Sequence, residues 1–238
     1  MKTKVLMFVV VLVLSTSCDT LSKMNLPTNL PTVLSESDIT NGLKEALKVG
    51  TNNSVGFLGK ANGFLGNPAY MIPFPQEAIR AKDKLEQLGM GKLVDDFIAT
   101  MNHGAENAVS KAAPIFINAI TSMSIQDAAN ILKGADNAAT EYFKAKTTAS
   151  LTALFKPEIK NALDAVNATK YWTDITTTYN KIPLVTKVET DLSQYVTEKA
   201  IAALFTQIAA EEKKIRTDPA ARVSDILKKV FDPNAIVQ

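Results

Sequence analysis

The sequence predicts an all-α protein, an irregular multi-helix bundle of about nine or ten helices joined by short connections. Three observations carry that expectation. From Ser35 onward, apolar residues recur at spacings of three and four. Helix starts and stops punctuate the same stretch, with Ser, Asp or Asn before periodic runs and Gly or Pro after them. No long stretch alternates polar with apolar as a half-buried strand would.

The chain opens MKTKVLMFVVVLVLSTSCDT. Lys2 and Lys4 precede an unbroken apolar run, Val5 to Leu14, which suits a signal segment and is too short to span a bilayer as a helix. Residues 1–17 are therefore read as a lipoprotein signal peptide. Cys18, the only cysteine, follows the small residues Ser15, Thr16 and Ser17 and stands where a bacterial lipobox carries its acylated cysteine. Leu14 lies four residues before it, where the usual pattern has three. A plain secretory signal cut near Ser17 is the alternative, but it leaves an odd thiol to explain. Lipidation at Cys18 implies a cell-envelope protein held to a membrane by its N-terminal lipid, on the periplasmic or outer-surface face.

Residues 18–34 are read as the lipidated Cys and a tether. Pro27 and Pro31 deny that stretch a helix. At about 3.3 Å per residue it could reach roughly 50 Å. Equally, Leu21, Leu26, Leu30 and Leu34 could pack back on the domain.

Residues 35–238 are expected to form one helical domain. Ser35 to Asp38 resembles a capping box, and Ile39, Leu43, Ala46 and Leu47 follow at helical spacing, to about Lys48 or on to Leu58 if Gly50 is tolerated. Pro75 opens a second helix, which Gly89 stops. Lys92 to Lys111 is a third, with Val94, Phe97, Ile98, Met101, Ala105, Ala108 and Ala112 on one face. Pro114 breaks or kinks the chain before IFINAITSM. Ser124 caps IQDAANILK, ended by Gly134. Asp136 caps a run through Phe155, and Pro157 restarts a segment to about Val166. Asn167 caps ATKYWTDITTTYNK, ended by Pro183. Asp191 caps a helix to Arg216, and Asp218-Pro219 start the last, which ends near Phe231. Two apolar pieces, AYMIPFP (69–75) and KIPLVTKV (181–188), could pair as a minor two-stranded ribbon.

Charge narrows the function classes. The chain has 26 basic and 24 acidic residues, and Lys2 and Lys4 supply the whole excess. Without the signal segment the protein is neutral, which argues against nucleic acid as a partner. Chemistry-bearing motifs are scarce. The single histidine, His103, shares its helical face with Asp96, Glu106, Asn107 and Ser110, read as a solvated face. One histidine and one acylated cysteine support neither a Ser-His-Asp triad nor a Cys-His pair. GFLGKANG lacks the spacing of a phosphate loop, so no cofactor and no metal is expected.

Two segments remain as candidate sites. GFLGKAN followed by GFLGN sets Phe57, Leu58, Phe64 and Leu65 on a glycine-rich loop, either plugging the core, the favoured reading, or forming an exposed apolar patch. The polar run 209–231 holds Glu211, Glu212, Arg216, Asp218 and Arg222, read first as an internal ion-pair network locking the last helices and second as an anion site.

EEKKIRTDPAARVSDILKKVF (211–231), NPAYMIPFP (67–75), GKLVDDFIATMN (91–102) and YNKIPLVTKV (179–188) together resemble the bacterial lipoprotein family called domain-of-unknown-function family 4197. The resemblance covers about residues 35–232. It implies an envelope protein of helical fold and no catalytic residues. Where members often read Asn-Arg-Ala-Ala, this chain has Asn102-His103-Gly104-Ala105, which speaks against a role for His103. The leading expectation is a non-enzymatic binding or scaffolding module. The alternatives are a carrier of an apolar, lipid-like ligand held between helices, and a hydrolase of unknown type.

Overall fold

A computed structural model describes residues 33–181, 183–184, 187, 189–232 and 235–237. The signal segment, Cys18 and the tether up to Thr32 lie outside the described residues. Among those described, the chain is a multi-helix all-α fold. Its helices are α1 (Glu36–Leu58), α2 (Ile79–Gln87), α3 (Gly91–Ser110), α4 (Ala113–Thr121), α5 (Ile125–Lys133), α6 (Ala138–Asp164), α7 (Ala168–Tyr179), α8 (Leu192–Thr217) and α9 (Asp225–Val230).

Local chemistry sets many of the boundaries. Ser35 and Asp38 form a reciprocal capping box on α1, each side chain taking the other's backbone amide at 3.1 Å. Ser124 and Asp127 repeat the device on α5. α1 runs unbroken to Leu58. Gly42 inside it is required by packing, because a Cβ there would sit 2.4 Å from the Val230 side chain of α9. At the end of α2, Gly89 adopts φ +77, and the amides of Gly89 and Met90 return to the carbonyls of Glu86 and Leu85. This is a Schellman stop, which a left-handed glycine permits.

The long helices α6 and α8 pack along one another, with α3 against α6 and α1 against α8. Phe116 of α4 meets Phe143 of α6 and Phe205 of α8 edge-on, with ring centroids 5.3 and 6.2 Å apart. Met101, Leu151, Phe155, Ile159 and Leu204 are fully buried around them. Burial of about 2 kcal/mol per large side chain makes this cluster the main source of stability.

Four expectations are corrected. Pro157 does not restart a helix but sits inside α6, which continues to Asp164. It forfeits one backbone hydrogen bond, while Phe155, Ile159 and Leu163 on either side stay buried. Asp136 does not cap α6, which begins after Asn137. Asp218 caps a 3-10 turn, Pro219–Ala221, and Ser224 caps α9 separately. Residues 69–75 form no strand; the two-stranded ribbon is instead β1 (Val33–Leu34) paired in parallel with β2 (Ile236–Val237). Residues 182, 185, 186 and 188 of the other apolar piece lie outside the described residues. Of the two readings of the tether, Leu34 follows the second: it is buried with Ile39 and Val230.

Candidate functional site

A cavity opens where α2, the start of α3 and the start of α7 diverge. α3 supplies Val94 and Phe97 on the stripe that also carries Met101 into the core. The α2–α3 stop puts Met90 and Leu93 on the rim. The turn from α6 to α7, with Asn167 at φ 56, brings Val166 and Ala168 to the opposite lip. Phe74 comes from the irregular stretch before α2.

The result is an apolar groove of about 650 Å³. Its floor is an aromatic cluster: Phe74 and Phe97 are 5.1 Å apart, Trp172 is 6.1 Å from Phe74, and Trp172 stacks against Phe97 at 6.2 Å. The Trp172 indole N–H donates to the Glu189 carbonyl at 2.9 Å, which fixes the ring. Two polar residues of the lining, Asp96 and Thr100, are engaged within α3, and Tyr171 adds a phenol at the rim. Thr100 donates to the Asp96 carbonyl, and the Asp96 carboxylate accepts from Lys92 at 2.8 and 2.9 Å. The rim is unusually bare, with Leu93 53% and Tyr171 60% exposed beside half-covered Met90 and Val166. The volume falls within the range of small-molecule pockets.

The predicted apolar loop is a different place. Phe57 and Leu58 are not on the loop but end α1, because the helical hydrogen bonding continues through Gly56; Leu58 and Phe64 are fully buried and Leu65 is half-buried. Phe57 lies partly exposed, edge-on to Tyr70 at 6.1 Å with Lys60 over its ring. This loop is held by a residue read as solvated: Glu106 is buried, and its carboxylate accepts the amides of Phe64 and Leu65 at 3.0 and 3.1 Å and contacts His103 Nδ1 at 2.8 Å. Burial alone would push its pKa up, but His103 and the two amides outweigh it and hold the carboxyl below its ordinary 4.5. Asn102, also buried, receives the Ile72 amide and donates to the Ile72 carbonyl, clamping that residue as a strand neighbour would. His103, Asp96, Asn107 and Ser110 remain exposed.

The polar corner at 211–222 is satisfied within the chain. Glu212 accepts the amides of Ala139 and Thr140 at the start of α6, at 3.0 and 2.9 Å, and so caps that helix from α8. Arg216 donates to Glu212 at 2.9 Å and to the Ile131 carbonyl near the end of α5 at 2.9 Å. Arg222 donates to the carbonyls of Ile215 and Arg216 at the end of α8. Glu211 accepts from Asn53 at 2.8 Å, and Asp218 accepts the Ala220 amide. The two guanidinium groups are turned toward helix carbonyls.

The groove was missed in the sequence because Val94 and Phe97 read as ordinary core. The usable signal was Leu88, Met90 and Leu93, apolar residues off the buried stripe, close to the single tryptophan's aromatic neighbours. Among the described residues no three His, Asp or Glu side chains gather as metal ligands, and no single helix is long and apolar enough to cross a membrane. A family model described as "Protein of unknown function (DUF4197)" matches residues 33–232, which takes in every helix from α1 to α9. No curated protein and no solved structure matches the chain.

Proposed function

The chain belongs to the DUF4197 family of proteins of unknown function, and from that premise we propose that it is a non-enzymatic binding module of the cell envelope, anchored through lipid on Cys18, that takes an apolar, lipid-like ligand in the groove between α2, α3 and α7. The observation that carries this reading is the open 650 Å³ cleft with an aromatic floor and an exposed apolar rim. Such a surface is costly in water unless something covers it. The aromatic floor of Phe74, Phe97 and Trp172 favours an apolar inserted part, with any polar end of the ligand left at the rim beside Asp96, Thr100 and Tyr171.

Trp172, the chain's single tryptophan, stands in the floor and reports occupancy directly. Titration with the uncharged probe N-phenyl-1-naphthylamine is expected to quench Trp172 while the probe brightens. Leu93→Glu, on the exposed rim, is expected to weaken that binding at least tenfold without loss of fold. Trp172 emission unchanged to the probe's solubility limit overturns the ligand reading. The anchor is tested separately: Cys18→Ser is expected to release the protein from membranes or leave its leader uncleaved, and unchanged fractionation overturns lipidation.

A further inference from the structure

The three walls of the groove are unequal. α3 and α7 each send buried side chains to the core, Val94 and Met101 from α3, Ala168 and Trp172 from α7. α2 does not: its described side chains are all exposed or half-buried. Its main packing is on α3 and on the 3-10 turn Gln76–Ala78 just before it. No side chain caps its N-terminus, and Pro75 precedes the turn. Its other end is the Schellman stop at Gly89, which keeps the helix intact as a rod and turns the chain into α3 at Met90. A helix whose own side chains are exposed or half-buried opens at smaller free-energy cost than its buried neighbours.

We infer that α2 is the gate of the groove, swinging on Pro75 and Gly89 to admit an apolar ligand and closing over it. The inference rests on the ligand reading above. Leu85, half-buried against the main core, is the gate's grip on the groove, and Ala78, buried in that core, anchors the lead-in turn. Leu88, 65% exposed, and Leu93 on the rim are the apolar surface that closure would cover. That burial supplies a driving force of about 25 cal/mol per Å² once a ligand fills the space beneath. Lys82 pairs with Glu86 along α2 and also feels Asp95 of α3, an attraction that draws the helix toward the groove wall.

Hydrogen exchange and stopped-flow fluorescence on the full chain test this, with N-phenyl-1-naphthylamine as probe and Trp172 as reporter. In the free protein, amides of α2 are expected to exchange at least tenfold faster than those of α3 between Val94 and Val109. Saturating probe is expected to slow α2 exchange several-fold and leave α8 unchanged. Leu85→Ala, which loosens the grip, is expected to raise both the association and dissociation rates of the probe about threefold. A fixed wall predicts a faster dissociation with an unchanged association rate. Equal protection of α2 and α3, or probe binding that alters neither α2 exchange nor the association rate of Leu85→Ala, overturns the gate while the ligand reading stands. Failure of the probe to bind at all overturns both.

Discussion

Glu212 of α8 and Thr140 of α6 are joined by two hydrogen bonds, the Thr140 amide and hydroxyl both donating to one carboxylate oxygen, at 2.9 and 2.8 Å. The other oxygen takes the Ala139 amide and the Arg216 guanidinium. A residue 72 positions away thus does for α6 what a local N-cap does elsewhere, and it places negative charge at the positive end of a long helix. Glu212→Ala should cost about 3–5 kcal/mol, because it strands two amides and a nearly buried Arg216. Thermal unfolding checks it, and a loss below about 1 kcal/mol shows that water replaces the carboxylate.

Arg216→Ala with Arg222→Ala tests the rest of the corner. Both guanidiniums satisfy carbonyls at helix ends, α5 for Arg216 and α8 for Arg222. A clear fall in melting temperature is expected, larger for Arg216 alone than for Arg222 alone, since only Arg216 also neutralises Glu212. Arg216→Lys should recover only part, because one ammonium cannot reach both the carboxylate and the Ile131 carbonyl as a planar fork does. A double variant that melts higher than the parent reverses the argument and marks the corner as a site of unrelieved positive charge.

Sequence was legible where structure is decided within a few residues. The capping boxes at Ser35 and Ser124, the Gly89 stop and the buried stripe through Met101 all follow from neighbours three or four positions away. It was illegible where a polar residue is satisfied from afar. Asn102 and Glu106 are polar residues of α3 next to exposed His103 and Asn107, and nothing local shows that the loop 63–72 folds over them to deliver its amides. Pro157 misled for a related reason: its local penalty was visible, whereas the buried neighbours that offset it were not. The groove shows the same limit, because its lips come from α2, α3 and α7, and no single segment displays a concave surface.

Two hydroxyls offer a stabilising change. Thr51 on α1 and Thr197 on α8 are fully buried, and neither side-chain oxygen has a partner among the described residues. Each loses hydration without a hydrogen bond in return. Thr51→Val and Thr197→Val keep the shape and remove that penalty, so each should raise stability by about 1 kcal/mol in denaturant titration. A loss on Thr51→Val shows that the small cavity beside Thr51, Glu212 and Arg216 holds a water bound to the hydroxyl.

Glu106 gives the protein a measurable acid sensitivity. In the folded chain its carboxyl is held below its ordinary 4.5 despite burial, through His103 and the amides of Leu65 and Phe64. In the unfolded chain it returns to the ordinary range. Its contribution to stability is therefore complete above about pH 5 and is lost as the pH falls through 4.5 toward the lowered folded value. Asp38, Asp127, Asp164 and Asp191 are also held low, so acid weakens the parent through several groups at once. Comparison with Glu106→Gln isolates one of them. The amide side chain keeps an acceptor for the loop but cannot ionise, and it should be less stable than the parent at pH 7 by about 2 kcal/mol, the worth of charge-assisted bonds to two backbone amides. As the pH drops from about 6 to about 3.5 the two unfolding curves should converge, because the parent's Glu106 becomes neutral in its turn. The convergence should be accompanied by loosening of the 63–72 loop in the parent, visible as faster exchange of the Phe64 and Leu65 amides. Parallel stability curves across that range show that the Glu106 charge contributes nothing, and that the loop is held by Phe64 packing alone.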